Sequence, residues 1–248
     1  METVQEKIGK IPERVVTLDG IAGMEASKRA LEVALAGAHP IVFLYNSNSH
    51  AVELVRAGKR MAANHGLVFH GLAYPACKCG NYGSRTSECR CRPISISRHL
   101  AKLGQRKDEF DLWMDACRVS PAYISEPAGE SEATVVERIL AMRRIHEVLG
   151  EPDLEAQELL KAWQKHVGKA FDAGRILKVA RTIARLEGSG KTLRACQVAE
   201  AIQYQAQSLS WLWDCMKPQA IELKTQSSEE SPPTLLASYG GSPLHYER

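Results

Sequence analysis

Four of the seven cysteines lie in one short segment, as two pairs with the spacing Cys-x-Cys. The pairs are Cys77 with Cys79 and Cys89 with Cys91, and nine residues rich in turn formers separate them. Two pairs of thiolates joined by such a turn can supply the four soft ligands that tetrahedral Zn²⁺ prefers. The sequence therefore predicts a structural zinc knuckle. A set of reduced thiols on a surface loop, or a redox pair, would explain the same spacing.

The other three cysteines are predicted to have no metal chemistry. A catalytic zinc ion would need an open coordination position, and all four clustered cysteines are committed to one site. Cys117, Cys196 and Cys215 each stand alone in apolar or helical surroundings. That setting is typical of a buried cysteine that acts as a small hydrophobic residue.

Basic side chains are concentrated in and after the cysteine segment. They can contact phosphates without reading bases, and those near the cysteines offset the negative charge of four thiolates. A solvated basic face would give the same pattern. The residues predicted to contact nucleic acid are Arg85, Arg90, Arg92, Arg98, Lys102, Arg106 and Lys107.

The composition excludes some classes of protein and leaves others open. A chain of 248 residues with 44% hydrophobic residues is long and apolar enough to bury a sizeable core in one or two domains. A net charge of +3 by itself requires neither nucleic acid nor a membrane as partner. The sequence has no apolar run long enough to span a membrane and no secretory signal pattern, so we expect a cytoplasmic protein with reduced cysteines.

The elements before the cysteine segment are predicted to form a short βαβ-like unit. Apolar periodicity predicts a helix over residues 23–37, and residues 41–45 are typical of a strand buried on both faces. A turn follows, and then a helix over about residues 51–63. A second buried strand is predicted over residues 67–70.

The chain changes character after the cysteine segment. A short helix is predicted over residues 97–103, and alternating apolar residues slightly favour a strand over residues 110–119. Ser131 is the predicted cap of the first of four helices that end near Leu209, which together indicate a bundle. The predicted domains are a truncated α/β core (1–72), a cysteine-rich zinc loop with the following segment (73–119), a helical domain (120–210) and a mostly disordered tail (211–248).

No stretch of the chain has both the residues and the setting of a phosphate-binding loop. Residues 188–192 read Gly-Ser-Gly-Lys-Thr, but they follow a helix and not a strand, which favours a turn between helices. The correct setting is the turn after Tyr45, where residues 45–52 contain neither glycine nor lysine. Phosphate binding needs open backbone amides and positive charge, so we expect neither ATP nor Mg²⁺ as a cofactor.

Six segments have residue types and an order that one known family shares, and they span most of residues 19–204. The segments are residues 23–34, 77–83, 88–91, 129–131, 175–184 and 198–204. They resemble the magnesium-chelatase-like AAA+ ATPases, in particular the competence-associated ComM branch. This resemblance implies an α-rich protein, with a truncated α/β P-loop core followed by a helical lid bundle.

The chain departs from that family at the residues that ATP hydrolysis requires. Family members use ATP to remodel or move along DNA, or to insert metal into a porphyrin, as ring-shaped oligomers. Ala51 stands where the lysine is expected, and Pro75 and Glu109 replace an expected asparagine and arginine. Roughly a hundred residues that would carry the acidic Walker B motif are absent after Val52. Arg175 matches the arginine that the helical lid directs at nucleotide.

The resemblance and the departures together predict a degenerate family member that acts in DNA binding or DNA processing without hydrolysing ATP. One alternative is a regulatory subunit whose helical domain docks onto an intact AAA+ ring or onto a second copy. Another is an ATPase that works only with nucleotide at a shared interface, with Arg175 or Arg181 supplied in trans. No membrane partner is expected.

Overall fold

A computed structural model describes residues 16–84, 86–117, 129–144, 150–188 and 192–209. This part of the chain forms a small sheet and several helices, and most of the helices follow the sheet in sequence. In chain order the strands and α-helices are α1 (Glu25–Gly37), β1 (Ile41–Tyr45), α2 (Ala51–His65), β2 (Gly71–Pro75), α3 (Pro93–Gly104), β3 (Leu112–Asp115), α4 (Glu132–Arg143), α5 (Leu154–Val167), α6 (Ala173–Leu186) and α7 (Ala195–Gln203). The protein is an α-rich α/β protein, as the sequence predicts.

The sheet has three parallel strands in the order β2-β1-β3. Ile41 and Phe43 of the central strand pack into a core cluster shared with α1 and α2, and Val42 and Leu44 pack into a second cluster shared with α3. Such alternation buries both faces of β1 between helices. Because the strands are parallel, the carboxyl ends of all three meet at one edge of the sheet, which we call the carboxyl edge.

Side-chain caps begin three of the helices that follow the sheet. The side chains of Ser131, Asp153 and Asp172 accept hydrogen bonds from backbone N–H groups in the first turns of α4, α5 and α6. Each cap satisfies a donor that the helix itself leaves unpaired. Helix α6 packs against α1 and α7, and α4 contacts α1 and α6, so the helical part is built onto the α/β part.

A backbone contact also joins the last described helix region to the sheet. The N–H of Trp113 in β3 donates to the carbonyl of Tyr204, just after α7, at 2.8 Å. Trp113 and Tyr204 are both buried. This bond uses an outward donor of β3, on the side of the strand away from β1.

The second strand was predicted four residues too early. Residues 67–70 precede it, with Leu67 buried in the core and Val68 49% exposed. Gly71 and Pro75 are poor strand formers, but pairing with β1 holds them in the sheet. Tertiary pairing therefore outweighs local propensity at this strand.

Two helix bounds also differ from the prediction. Helix α3 begins at Pro93, a residue favoured in a first turn, and not at residue 97. Helix α7 ends at Gln203, before a short 3-10 turn. Cys117 is buried as predicted, but the prediction for Cys196 is wrong, since it is exposed near the start of α7. Cys215, Arg85 and the tail after residue 210 lie outside the described residues.

Candidate metal centre

The four clustered cysteines meet with their sulfur atoms within 4.8 Å of one another. Cys77 Sγ lies 3.3 Å from Cys79 Sγ and 3.6 Å from Cys89 Sγ, and the last two are 3.6 Å apart. A zinc ion with Zn–S bonds of about 2.3 Å at the centre of a tetrahedron holds its sulfurs about 3.8 Å apart. The cluster therefore has the donor atoms and the size to hold a metal ion such as zinc.

A tight turn after β2 brings the first pair of cysteines into position. Cys77 is fully buried and follows the last residue of β2 by two positions. The Gly80 N–H donates to the Cys77 carbonyl at 3.1 Å, and Gly80 has a positive φ of 79° that favours glycine. The Tyr82 N–H donates to Cys77 Sγ at 3.3 Å, a bond that stabilises a thiolate. The turn thus supports the ligand as well as placing it.

The thiols of the cluster have different acidities without a metal. A hydrogen bond with the Asn81 backbone, followed by one with Cys77, lowers the pKa of Cys79 to about 6. Burial raises the pKa of Cys89 to about 12. Because a metal binds thiolates, loading the cluster would release protons, mainly from the less acidic thiols.

The cysteine segment docks onto the turn between β1 and α2. The Ser47 N–H donates to the Gly80 carbonyl at 2.8 Å. The fully buried side chain of Asn46 donates through Nδ2 to the carbonyls of Cys117 at 2.9 Å and Tyr82 at 3.4 Å. One asparagine therefore links the ends of β1 and β3 to the cysteine segment.

Backbone N–H groups of the β1–α2 turn donate hydrogen bonds to acceptors within the protein. The Asn48 N–H donates to Asn46 Oδ1 at 3.1 Å, and the Ser49 N–H donates to the Asn46 carbonyl at 3.0 Å. The Ala51 N–H donates to Ser49 Oγ at 3.2 Å. Phosphate-binding loops leave such amides directed at the ligand. In this turn four of them, including that of Ser47, already have protein acceptors.

Side chains of the cysteine segment complete the contact. Asn48 Oδ1 accepts hydrogen bonds from Ser84 Oγ at 2.9 Å and from Thr86 Oγ1 at 2.7 Å. The segment thus covers the turn that follows β1. We call this combination of the cysteine segment and the β1–α2 turn the closed turn.

Arg175 lies at the opposite edge of the sheet from the closed turn, where the strands begin, which we call the amino edge. Its guanidinium is within 3.4 to 3.9 Å of carboxylate oxygens of Asp108, Asp111 and Asp172. The Asp111 N–H donates to the carbonyl of Pro40, which precedes β1. A five-residue strand is about 15 Å long, so within one chain Arg175 and the closed turn are not brought together.

The basic residues after the cysteines are mostly exposed. Arg90, Arg92, Arg98 and Lys102 are exposed, the last two one helical turn apart on α3. Arg106 is exposed as well but bound to Glu109 by three contacts of 2.7 to 3.1 Å. Lys107 is half-buried, and Arg85 lies outside the described residues.

Sequence reasoning missed a buried polar group at the amino edge of the sheet. His39 is 1% exposed, and its ring nitrogens lie 3.1 Å from Asp111 Oδ2 and 2.8 Å from Thr182 Oγ1. Lys178 Nζ donates to Asp111 Oδ2 at 2.6 Å. Burial acts to raise the pKa of Asp111, but hydrogen bonds from His39 and Lys178 outweigh it and hold the pKa below its usual value. We call His39, Asp111, Lys178 and Thr182 the junction cluster, because it joins α1, β3 and α6.

A second buried charge at the junction was also missed. Glu32 of α1 is 3% exposed and pairs with Arg29 at 2.9 Å and with Arg138 of α4. The two arginines also pair with Glu200 and Glu130, respectively. Arg29 and Glu32 are three residues apart on α1, but Arg138 and Glu200 come from distant helices, so no local pattern indicates the whole network.

None of the described helices is both long and apolar enough to cross a bilayer.

No family model matches the chain. The chain is 33% identical over 137 residues to the uncharacterized protein YifB of Escherichia coli (strain K12), covering 47% of this chain and 27% of YifB. It is 34% identical over 139 residues to the YifB of Salmonella typhimurium, with the same coverage. The chain thus spans about a quarter of the length of the curated relatives it matches.

Proposed function

We propose that the chain is a shortened, degenerate member of the magnesium-chelatase-like AAA+ family, of the ComM branch, that binds DNA without hydrolysing ATP. The partial match to YifB supports a ComM-like origin. The sheet and its flanking helices would then be the remnant of the P-loop core, and α4 to α7 the helical lid.

The observation that carries the DNA-binding proposal is the exposed basic surface beside the cysteine cluster. Arg98 and Lys102 project from α3, and Arg90 and Arg92 lie between the last cysteines and that helix. Within the described part of the chain no carboxylate pairs with any of these four. Cations without partners contact phosphates at the lowest cost, because no ion pair must first be broken.

The closed turn supports the absence of ATP hydrolysis. A nucleotide phosphate at the end of β1 would have to compete with the Gly80 carbonyl and the Asn46 side chain for the same amides. Ala51 adds no positive charge there. Since phosphoryl transfer depends on positioned cations and amides, losing both removes the means of catalysis.

Zinc is the metal that best suits the cluster. Four thiolates at tetrahedral spacing leave no open position, which is typical of a structural ion. The ion would hold the loop that carries Arg90 and precedes α3, so it would position part of the basic surface. Reduced thiols without metal remain the alternative to be tested by metal analysis of the purified protein.

Salt-dependent DNA binding tests the proposal directly. We expect affinity for duplex DNA to fall steeply as salt is added, because bound phosphates release counterions. The variant Arg98→Gln with Lys102→Gln should bind more weakly and lower the salt slope by about one to two. Fluorescence anisotropy over a range of salt concentrations measures both quantities.

The matched control removes two cations from another exposed helix face. Lys161→Gln with Lys165→Gln on α5 changes the net charge equally and should leave the affinity nearly unchanged. No binding at low salt, or equal losses in the two double variants, would rule out this surface as the DNA site. Micromolar binding of magnesium–ATP in calorimetry would overturn the nucleotide part of the proposal.

A further inference from the structure

A cavity of about 550 Å³ lies where the end of α1 meets α4 and α6. Its charged side chains share one sign. They are Arg143 from the last turn of α4 and Lys178, Arg181 and Arg185 from α6. Among the described residues that line this cavity, none has a carboxylate side chain.

The sequence of α6 explains why the cations gather there. Lys178, Arg181 and Arg185 are three and four residues apart, so they share one face of the helix. Ile176, Val179 and Ile183 occupy another face and are buried in the core. The buried face fixes the rotation of α6 and thereby directs the basic face into the cavity.

Two of the four cations have no counter-charge in the described structure. Lys178 pairs with Asp111, and Arg185 also has a partner in the protein. Neither Arg143 nor Arg181 forms an ion pair with any described residue. The end of α1 borders the cavity, but a helix C-terminus carries only about half a negative charge, which does not balance four cations.

The floor of the cavity is fixed. His39 and Thr182 line it, and they are hydrogen-bonded to each other at 2.8 Å as members of the junction cluster. Both side chains are buried. A rigid floor lets a bound group meet the arginines without reorganising the core, which limits the entropic cost of binding.

Two other cavities show that this charge bias is not general. The cavity beside Glu32 also contains Glu25, Glu130 and Glu187 among its arginines and lysine. The cavity beside Arg175 contains two aspartates with its three cations. Those cavities carry their own counter-charges, whereas the cavity at Arg181 does not.

We propose that the Arg181 cavity binds a phosphate group, with Arg143 and Arg181 as its main donors. Guanidinium groups offer paired N–H donors that match two phosphate oxygens, so they bind phosphate with defined geometry as well as charge. The group would bridge α4 to α6. Its source is either a small phosphorylated molecule or the backbone of a nucleic acid, and binding assays separate the two.

Calorimetry on the full chain at low salt tests the site with pyrophosphate and, separately, a short duplex DNA. In the variant Arg143→Gln with Arg181→Gln, the bound probe should lose about tenfold or more in affinity. The variant Arg181→Lys keeps the charge and removes the paired N–H donors, so its affinity for the probe should be intermediate. Lys161→Gln with Lys165→Gln is the charge-matched control and should bind as the unmodified chain does, and unfolding midpoints check that each variant is folded.

Each result bears on the proposal. Saturable pyrophosphate binding that the double variant weakens supports a small-molecule site. Loss confined to DNA binding supports a backbone phosphate as the occupant. Failure of both probes to bind, or binding that the double variant leaves unchanged, overturns the site. The α3 variant Arg98→Gln with Lys102→Gln should keep pyrophosphate binding, so this inference and the proposed DNA surface can fail separately.

Discussion

The two edges of the three-stranded sheet use polar groups in opposite ways. At the carboxyl edge, the closed turn pairs backbone amides with carbonyls and with the Asn46 side chain. At the amino edge, the junction cluster pairs ionisable side chains, and Arg143 and Arg181, which form no ion pair with a described residue, line a cavity beside it. Four amides of the closed turn are thus already occupied, whereas the cavity at the amino edge keeps cations that a ligand could meet, as the exposed surface of α3 does.

The two edges also differ in the interactions that stabilise them. The closed turn is held by neutral hydrogen bonds and by the cysteine cluster, so its stability should depend on metal. The junction cluster is held by buried charge and a histidine, so its stability should depend on pH. Changes made at one edge should therefore leave the other largely intact.

Metal loss is expected to give the largest effect, and only at the carboxyl edge. The variant Cys77→Ser with Cys89→Ser removes one ligand from each pair and should reduce zinc from one ion per chain to none. Because metal binding stabilises the fold that holds it, the unfolding midpoint should fall, and the amides of residues 46–51 should exchange faster. Metal analysis and hydrogen exchange measure these changes.

Cys196→Ser is the control, because this exposed cysteine lies outside the cluster. It should leave both metal content and exchange unchanged. Equal zinc content in the cluster variant and the unmodified chain would show that these cysteines are not the ligands.

Removing the imidazole at the amino edge should cost about 2 to 4 kcal/mol of unfolding free energy. His39→Ala removes one hydrogen-bond partner from each of Asp111 and Thr182 and opens a cavity in the core. Metal content should not change. Urea unfolding measures the cost, and His70→Ala, at an exposed histidine, should cost less than about 0.5 kcal/mol. Equal costs for the two variants would contradict a stabilising role for the junction cluster.

Acid should weaken the amino edge through Asp111. Its pKa in the folded protein is held below its usual value, so its ionised form stabilises the fold at neutral pH, and that stabilisation is lost as the pH falls through the folded pKa. The stability difference between the unmodified chain and Asp111→Asn should shrink from about pH 6 to about pH 3. Urea midpoints across this range measure it, and a difference that grows in acid would contradict the assignment.

The smallest effect is expected from Asn48→Ala at the closed turn. The substitution removes the acceptor for Ser84 and Thr86, at a cost of about 1 kcal/mol. Exchange at neighbouring amides should rise, while the amides of α6 keep their protection. Asn64→Ala on the exposed face of α2 is the control. Unchanged exchange in the Asn48 variant would show that the side-chain contacts do not hold the turn closed.

Local patterns predicted that the four cysteines form one cluster and predicted most helices, because spacing and periodicity can be recognised in short stretches of sequence. The paired cysteines, the run of β1 and the Ser131 cap each need only a few neighbouring residues to be recognised. Strand β2 was misplaced because its stability comes from pairing with β1, and Gly71 and Pro75 give no local sign of a strand.

The amino edge could not be predicted for the same physical reason. His39 and Asp111 are 72 residues apart, and His39 and Thr182 are 143 apart, so only the folded chain brings them together. In the sequence, His39 is one residue between a helix and a strand, directly before Pro40. The basic face of α6 was readable as a spacing pattern, but the partner Arg143 was not.

The bond between Trp113 and Tyr204 affects how much of the chain is needed for solubility. An outermost strand with free outward donors is a template on which another molecule can add a strand. The Tyr204 carbonyl accepts a hydrogen bond from one such donor of β3, so the helical half of the chain covers part of that edge strand. A fragment that ends before α7 would expose this side of β3, and we expect such a fragment to self-associate by adding a strand there.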